Sequence, residues 1–331
     1  MNEFDLIARL TRALPSHDSV KVGAGDDCAV LDLGLGDREL LFKTDAVVEG
    51  THFTRATPPE KIGRKALARC LSDIAAMAGT PVCALVTLAL PREFEVKFIE
   101  AIYAGMSELA RQHGVAIAGG ETTTNPERIL ISIALLGTVP KGKAVLRSGA
   151  RAGDAIFISG TLGGSLAGKH LDFEPRLAEA RWLAEHFTVH AMLDVSDGLA
   201  GDLRHLLNAS GVGAELHARA IPISRAARSL RREEADSGEL EAKTRPAGGG
   251  SKPPLLAALT DGEDFELLFT LASQRAVPLL DAWKKQFPDL KLSCIGKITT
   301  TPGLKLRDER GVRDLAAKGY EHFAPTPKLE P

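Results

Sequence analysis

Six acidic residues stand in short, mostly apolar or glycine-rich surroundings: Asp27, Asp45, Asp73, Glu121, Asp194 and Asp197. Isolated carboxylates in such settings are costly to bury unless positive charge meets them, and a shared cluster of magnesium ions is the economical explanation. Magnesium in turn suggests a polyphosphate substrate.

Each acid sits in a segment with its own chemistry and its own plainer alternative. Gly25-Asp26-Asp27 puts adjacent carboxylates at a glycine turn before an apolar strand. Neighbouring side chains alternate in a strand, so Asp27 is the one expected to face a site, unless the motif is simply a turn. Thr44-Asp45 closes the next apolar run with His52 downstream, which is how α/β folds present a site at a strand end. His52 reads either as a phosphate contact or as a histidine packing a loop. In Leu71-Ser72-Asp73-Ile74-Ala75-Ala76-Met77 an Asp stands among small apolar helix residues, where it needs a partner, a metal or a structural hydrogen bond.

Gly119-Gly120-Glu121 ends a strand with glycines that let phosphate approach backbone amides, or that make a tight turn. Asp194-Val195-Ser196-Asp197-Gly198 places two carboxylates and a hydroxyl at a strand end before a helix. There Asp194 and Asp197 suit metal and Ser196 suits phosphate, with an ordinary N-cap as the alternative. Gly262-Glu263-Asp264 leads into an apolar strand, and an acid there can orient a substrate amine or ring nitrogen, or belong to a solvated turn. No Walker A, protein-kinase or dinucleotide Gly-x-Gly-x-x-Gly pattern occurs in the right context, so any nucleotide site is of another kind.

The elements that must position these groups alternate between strand and helix. Apolar runs predict strands at 29–33, 39–44, 82–90, near 116, and at 129–137, 155–159, 265–271, 290–298 and 304–307. Helical spacing predicts helices over 2–13, from Pro58-Pro59 to Gly79, and over 94–113, 175–187 and 277–287, with a strand, turn and helix across 191–207. Both halves are therefore mixed α/β. The small, polar run from Arg147 to Asp154 suits a domain junction, giving domains 1–149 and 150–331. Residues 232–254, with charges, the run Gly248-Gly249-Gly250 and paired prolines, read as a mobile surface loop.

Bulk properties narrow the class. At 331 residues the chain can fill two cores, and a net charge of −2 with scattered Lys and Arg argues against a nucleic-acid partner. Four cysteines without Cys-x-x-Cys pairing fit a reducing cytoplasm, and no apolar stretch approaches a membrane span.

Taken in order, Gly25-Asp26-Asp27, Thr44-Asp45 to His52-Phe53, Leu71 to Met77, Gly119 to Thr123, Asp194 to Leu199 and Gly262-Glu263-Asp264 resemble the thiamine-monophosphate kinase family. The resemblance covers nearly the whole chain, down to Lys318-Gly319-Tyr320-Glu321-His322-Phe323. It implies the two-domain fold of aminoimidazole-ribonucleotide synthetase, α+β in type, each domain a mixed sheet backed by helices, with a homodimer formed through N-terminal strands. It implies ATP-dependent phosphorylation of thiamine monophosphate to thiamine diphosphate with magnesium. By motif, Asp27, Thr44, Asp45, Asp73, Asp194 and Asp197 would hold the metals, with Glu121 as a further ligand. His52, Glu263 and Tyr320 would contact thiamine monophosphate, and Tyr103, Gly120, Glu121, Arg147 and Ser196 would meet ATP.

Three positions depart from the family's usual pattern: Glu121 where Asp is frequent, Asp261 where Gly is frequent, and Lys43 where a small hydroxyl residue is frequent. Lys43 would bring a positive charge to the metals and tune or replace one ion. Two alternatives accompany the kinase reading: another ATP-using enzyme of the same fold, and a non-catalytic relative that binds ATP or thiamine diphosphate.

Overall fold

The computed structural model of the protein describes residues 3–229, 252–317 and 319–320. Helix α1 (Glu3–Thr11) precedes a sheet built from β1 (Val20–Val22), β2 (Ala29–Leu31), β3 (Arg38–Val48), β4 (Thr80–Leu90), β5 (Ala116–Thr124) and β6 (Leu130–Pro140). Its order is β1-β2-β3-β6-β4-β5, antiparallel except for β4 and β5. That parallel pair needs a crossover, which helix α3 (Val96–Gln112) supplies after α2 (Pro59–Ala76) has covered the same face.

The second sheet comprises β7 (Asp154–Ser159), β8 (Ala191–Asp194), β9 (Gly213–His217), β10 (Leu267–Ala272), β11 (Leu292–Thr299), β12 (Gly303–Asp308) and β13 (Gly311–Asp314). Its order is β13-β12-β9-β11-β7-β10-β8, and only β9 and β12 run parallel. Around it lie α4 (Lys169–Asp172), α5 (Leu177–His186), α6 (Leu199–Ser210), α7 (Pro254–Thr260) and α8 (Ala276–Gln286). Each sheet is mixed and backed by helices, as expected. The central strands β7 and β10 of the second sheet are apolar on both faces because both are covered. Phe157 and Phe269 stack with ring centroids 5.4 Å apart in a core shared with α2, α5 and α8. Ile156, Ile158 and Leu268 face a second core under α6 and α7.

The two halves close on α2. Its first turn starts at Pro59, where a missing N–H costs nothing, and it is buried almost throughout from Ile62 to Ala76. One side packs on β3 and β6, another on α4, α5 and β8. Such a helix should be apolar all round, yet Lys65, Arg69 and Asp73 recur at four-residue spacing and so share one stripe.

Strands β1, β9 and β13 were not expected, and two expected segments differ. The strand near Ala116 does not stop at the glycines but continues through Glu121 to Thr124, since β4 supplies a parallel partner along its length. The loop expected over 232–254 falls on residues outside those described as far as 251, and Pro254 already opens α7.

Helices α2 and α3 approach to backbone contact. A Cβ at Gly63 would lie 1.8 Å from the Ile102 carbonyl oxygen, and one at Gly105 would lie 1.9 Å from that of Glu60. Replacing a helical Gly with Ala otherwise gains about 1 kcal/mol, so here the backbone clash decides the sign. Gly105→Ala is expected to destabilise the fold by about 1–3 kcal/mol, read as a lower urea midpoint. An unchanged or higher midpoint would contradict this packing.

Candidate active site

Three elements from both halves converge on one buried point. Asp27 precedes β2, Asp73 lies in the last turn of α2, and Asp194 ends β8. Each offers a carboxylate oxygen within 4.8 Å of the others, although none is more than 6% exposed.

Each carboxylate is held in place. Arg147 donates to Asp27 Oδ1 from Nη2 at 2.5 Å and from Nε at 3.2 Å. Lys43 Nζ stands 2.9 Å from Asp73 Oδ1, and Ser72 Oγ donates to Asp194 Oδ2 at 2.5 Å. Asp27 Oδ2 is buried without a partner among the described residues. Burial holds the Asp73 carboxyl well above the usual carboxylate range despite Lys43. Burial and the neighbouring Asp27 push Asp194 up to about 6. Asp26, whose carboxylate accepts the Arg147 backbone N–H, is also pushed up to about 6 by burial and Asp27. Crowded acids short of positive charge, all oxygen donors and one of them with an orphaned atom, fit a hard divalent cation such as magnesium.

The α2 stripe links this point to a second group of charges. Arg69 grips Asp45 through Nε to Oδ2 at 2.9 Å and Nη2 to Oδ1 at 3.3 Å, and reaches Glu263 at 3.4 Å. Lys65, 1% exposed, lies 2.8 Å from both Glu263 oxygens and donates to the His52 carbonyl at 2.8 Å. Glu263 and Phe265 have φ of 63° and 50°. For non-glycine residues this conformation costs on the order of 1–3 kcal/mol and survives where the surroundings enforce it. Here Lys65 and Arg69 clamp Glu263 from α2.

His52 Nδ1 accepts the Val48 backbone N–H at 3.0 Å, so its own proton sits on Nε2. Burial and the Arg69 charge pull its pKa down to about 4, which leaves the ring neutral at pH 7. A cavity of about 230 Å³ opens beside these groups, and His52, Arg69, Ser196, Asp197, Glu263 and Tyr320 all contribute to its wall. The Tyr320 backbone N–H donates to the Asp197 carbonyl at 2.8 Å, tying the end of the described chain to the cavity. Asp197 in turn donates its N–H to Asp202 Oδ2 at 3.0 Å.

The remaining expected residues are not among the three converging acids. The Thr44 hydroxyl is 3.4 Å from Ser132 Oγ, on the sheet face opposite Lys43 and Asp45. Asp45 is occupied by Arg69. Tyr103 stands on α3, and Gly120 and Glu121 on the exposed edge strand β5. β5 is four strand spacings from β2, roughly 19 Å at about 4.8 Å each. Gly120 admits no side chain, since a Cβ there would fall 1.8 Å from the Val86 carbonyl oxygen.

Lys65, Arg69, Ser72 and Asp202 were not among the expected site residues. Lys65 and Arg69 carried a legible signal, two cations four residues apart on an otherwise apolar helix and in phase with Asp73. Ser72 carried none, because its partner Asp194 comes from a distant segment, and Asp202, five residues after Asp197, reads as an ordinary first-turn acid of α6.

Residues 25–139 match the family model for the AIR synthase related protein, N-terminal domain, and residues 151–308 match that for its C-terminal domain. Those matches define the class, the two-domain AIR synthase-related proteins. The thiamine-monophosphate kinase of Rhodopirellula baltica is 40% identical over 301 residues, covering 89% of this chain and 87% of that one. The thiamine-monophosphate kinase of Bacillus subtilis is 33% identical, covering 98% of this chain and all of that one. The solved structure of AaThiL complexed with AMPPCP and TMP superimposes with a TM-score of 0.77 at 30% identity, covering 97% of each chain. The chain belongs to the thiamine-monophosphate kinase family.

The His52 pKa has a consequence for stability. Between pH 4 and 6.5 the unfolded chain binds more protons at this residue than the folded one, so its contribution rises with pH and is lost on acidification. His52→Gln is expected to flatten the gain in urea midpoint between pH 4.5 and 7. Equal gains in both proteins would contradict the assigned ring state.

Proposed function

We propose that this protein transfers the γ-phosphoryl group of ATP to thiamine monophosphate, giving thiamine diphosphate and ADP. The observation that carries the reading is the junction of two sites, the buried group Asp27, Asp73 and Asp194 and the adjoining cavity with His52, Glu263 and Tyr320. The kinase relatives and the neighbour complexed with AMPPCP and TMP support the same substrates.

Asp27, Asp73 and Asp194 would hold magnesium, with Asp45 and Asp197 close by to join them when substrates arrive. Bound there, magnesium would neutralise phosphate charge and lower the repulsion between donor and acceptor. The acceptor is already a phosphate anion, so no strong general base is required. The protein's task is positioning and charge neutralisation along an in-line path, without a phosphoenzyme. Arg147, once drawn from Asp27, presents a planar fork suited to phosphate oxygens, and Ser196 offers a hydroxyl. Neutral His52 presents Nε2–H to the acceptor side, while Glu263, held by Lys65 and Arg69, presents carboxylate oxygens to the thiamine ring system. We assign residues 1–149 to one domain and 150–331 to the other.

Gly120 and Glu121, assigned to ATP with Tyr103, stand four strands away from β2, too far to act with Asp27 in one chain. A homodimer through the first sheet accounts for this, since a second copy can supply them. The uncovered sheet face supports it: Phe42, Val82 and Leu85 are 45%, 45% and 49% exposed. All four cysteines are free, in keeping with a cytoplasmic protein.

Incubation with ATP, magnesium and thiamine monophosphate is expected to give thiamine diphosphate and ADP in equal amounts by chromatography, and Asp73→Asn to abolish both. ADP without thiamine diphosphate would refute the acceptor, and label retained on the protein from γ-labelled ATP would refute direct transfer. The Lys43 ammonium competes with a divalent ion for Asp73, so Lys43→Ser should lower the magnesium concentration at half-maximal rate several-fold. A higher requirement would make Lys43 part of the metal site rather than its competitor.

A further inference from the structure

On the other side of the Arg147 segment from the three acids lies a larger cavity of about 770 Å³, between the end of the first sheet and α5. The chemistry described above makes no use of it. Three cations line it: Arg38 from β3, Lys143 from the turn after β6, and Arg181 from α5. Thr80 and Thr138 face each other across β4 and β6, a placement that sets Cβ atoms about 5 Å apart. Arg38 Nη2 donates to Thr138 Oγ1 at 2.7 Å, and Arg181 Nη1 to Thr80 Oγ1 at 3.4 Å. Two guanidinium groups, one from each half of the chain, are thus held side by side by neutral hydroxyls. Neither meets a carboxylate among the described residues.

Like charges fixed this way repel, and an anion between them turns that cost into binding. Arginine forks match phosphate oxygens in particular. Part of the remaining wall is apolar, with Leu146, Val189 and Phe187, beside Ser148 and Thr188. Its other titratable groups are Glu185 and His190, and His190 is already engaged through Nδ1 with Asp154 Oδ2 at 2.8 Å. Leu146 and Ser148 reach this cavity while Arg147, between them, grips Asp27. The segment is stitched to the second half, with the Leu146 carbonyl accepting the Met192 N–H at 3.0 Å and the Arg147 carbonyl accepting Ser210 Oγ at 3.3 Å.

We propose that this cavity binds a small phosphorylated metabolite, with its phosphate groups between Arg38, Arg181 and Lys143 and its apolar part against Leu146, Val189 and Phe187, and that occupancy alters nucleotide binding through Arg147. The coupling, but not the binding, rests on the kinase reading.

The chain has two tryptophans, and Trp182 reports on the cavity through Phe187 of its wall. The Trp182 ring lies 5.8 Å from that of Phe187 and 6.0 Å from that of Trp283. Inorganic pyrophosphate, added to the full chain without divalent ions, is expected to change tryptophan fluorescence saturably. Arg38→Gln with Arg181→Gln should weaken that response at least tenfold, and Arg147→Ala should retain it. The exposed single change Lys143→Gln should weaken it at least threefold, and it serves where the double variant fails to fold. No saturable response at millimolar pyrophosphate, or a response lost only in Arg147→Ala, would overturn the site. Pyrophosphate should also change the affinity for AMPPCP at least threefold in the wild type and not in the double variant. An equal effect in both would overturn the coupling, and absence of kinase activity would leave the binding result standing.

Discussion

Three carboxylates from three distant stretches of chain are buried within 4.8 Å of one another, and that arrangement is tolerable only if positive charge is close. Lys43 and Arg147 supply part of it, each from a neighbouring element. The raised pKa values of Asp73 and Asp194 express what is still lacking. A divalent cation would complete the balance and, in doing so, would create a place where polyphosphate can be held. Site and fold thus share one constraint, since Asp27 and Asp73 come from the first half and Asp194 from the second.

Helix α2 is the means by which the halves meet. Buried against β3 and β6 on one side and against β8, α4 and α5 on another, it is a wall common to both cores. A charged stripe on such a wall is expensive unless each charge is answered. Lys65 answers Glu263, Arg69 answers Asp45 and Glu263, and Asp73 meets Lys43. The same ion pairs hold Glu263 in its left-handed conformation, so a carboxylate of the cavity wall is shaped by the helix that also carries one of the three buried acids.

Much of this was legible in sequence. Strands β3, β4, β6, β7 and β10 are apolar runs bounded by glycine or charge, and α2 and α3 announce themselves by helical spacing. β9 and β13 were not legible, because five and four residues of mixed polarity leave too little pattern to detect. The acids Asp27, Asp73 and Asp194 stood out as costly residues in apolar settings. Arg69 and Lys65, which pair with Asp45 and Glu263, did not, although their phase with Asp73 was readable. Thr44 and Glu121 show the limit of reasoning from motifs: adjacency in sequence does not reveal which sheet face or which edge a side chain occupies.

The central claim, that the buried carboxylates form a divalent-ion site spanning both halves, is tested most directly by the thermal unfolding midpoint with and without magnesium, in the absence of nucleotide. The account predicts a concentration-dependent rise in the wild-type protein that is lost in Asp194→Asn and in Asp73→Asn. A rise of the same size in these variants, or none in the wild type, would contradict it.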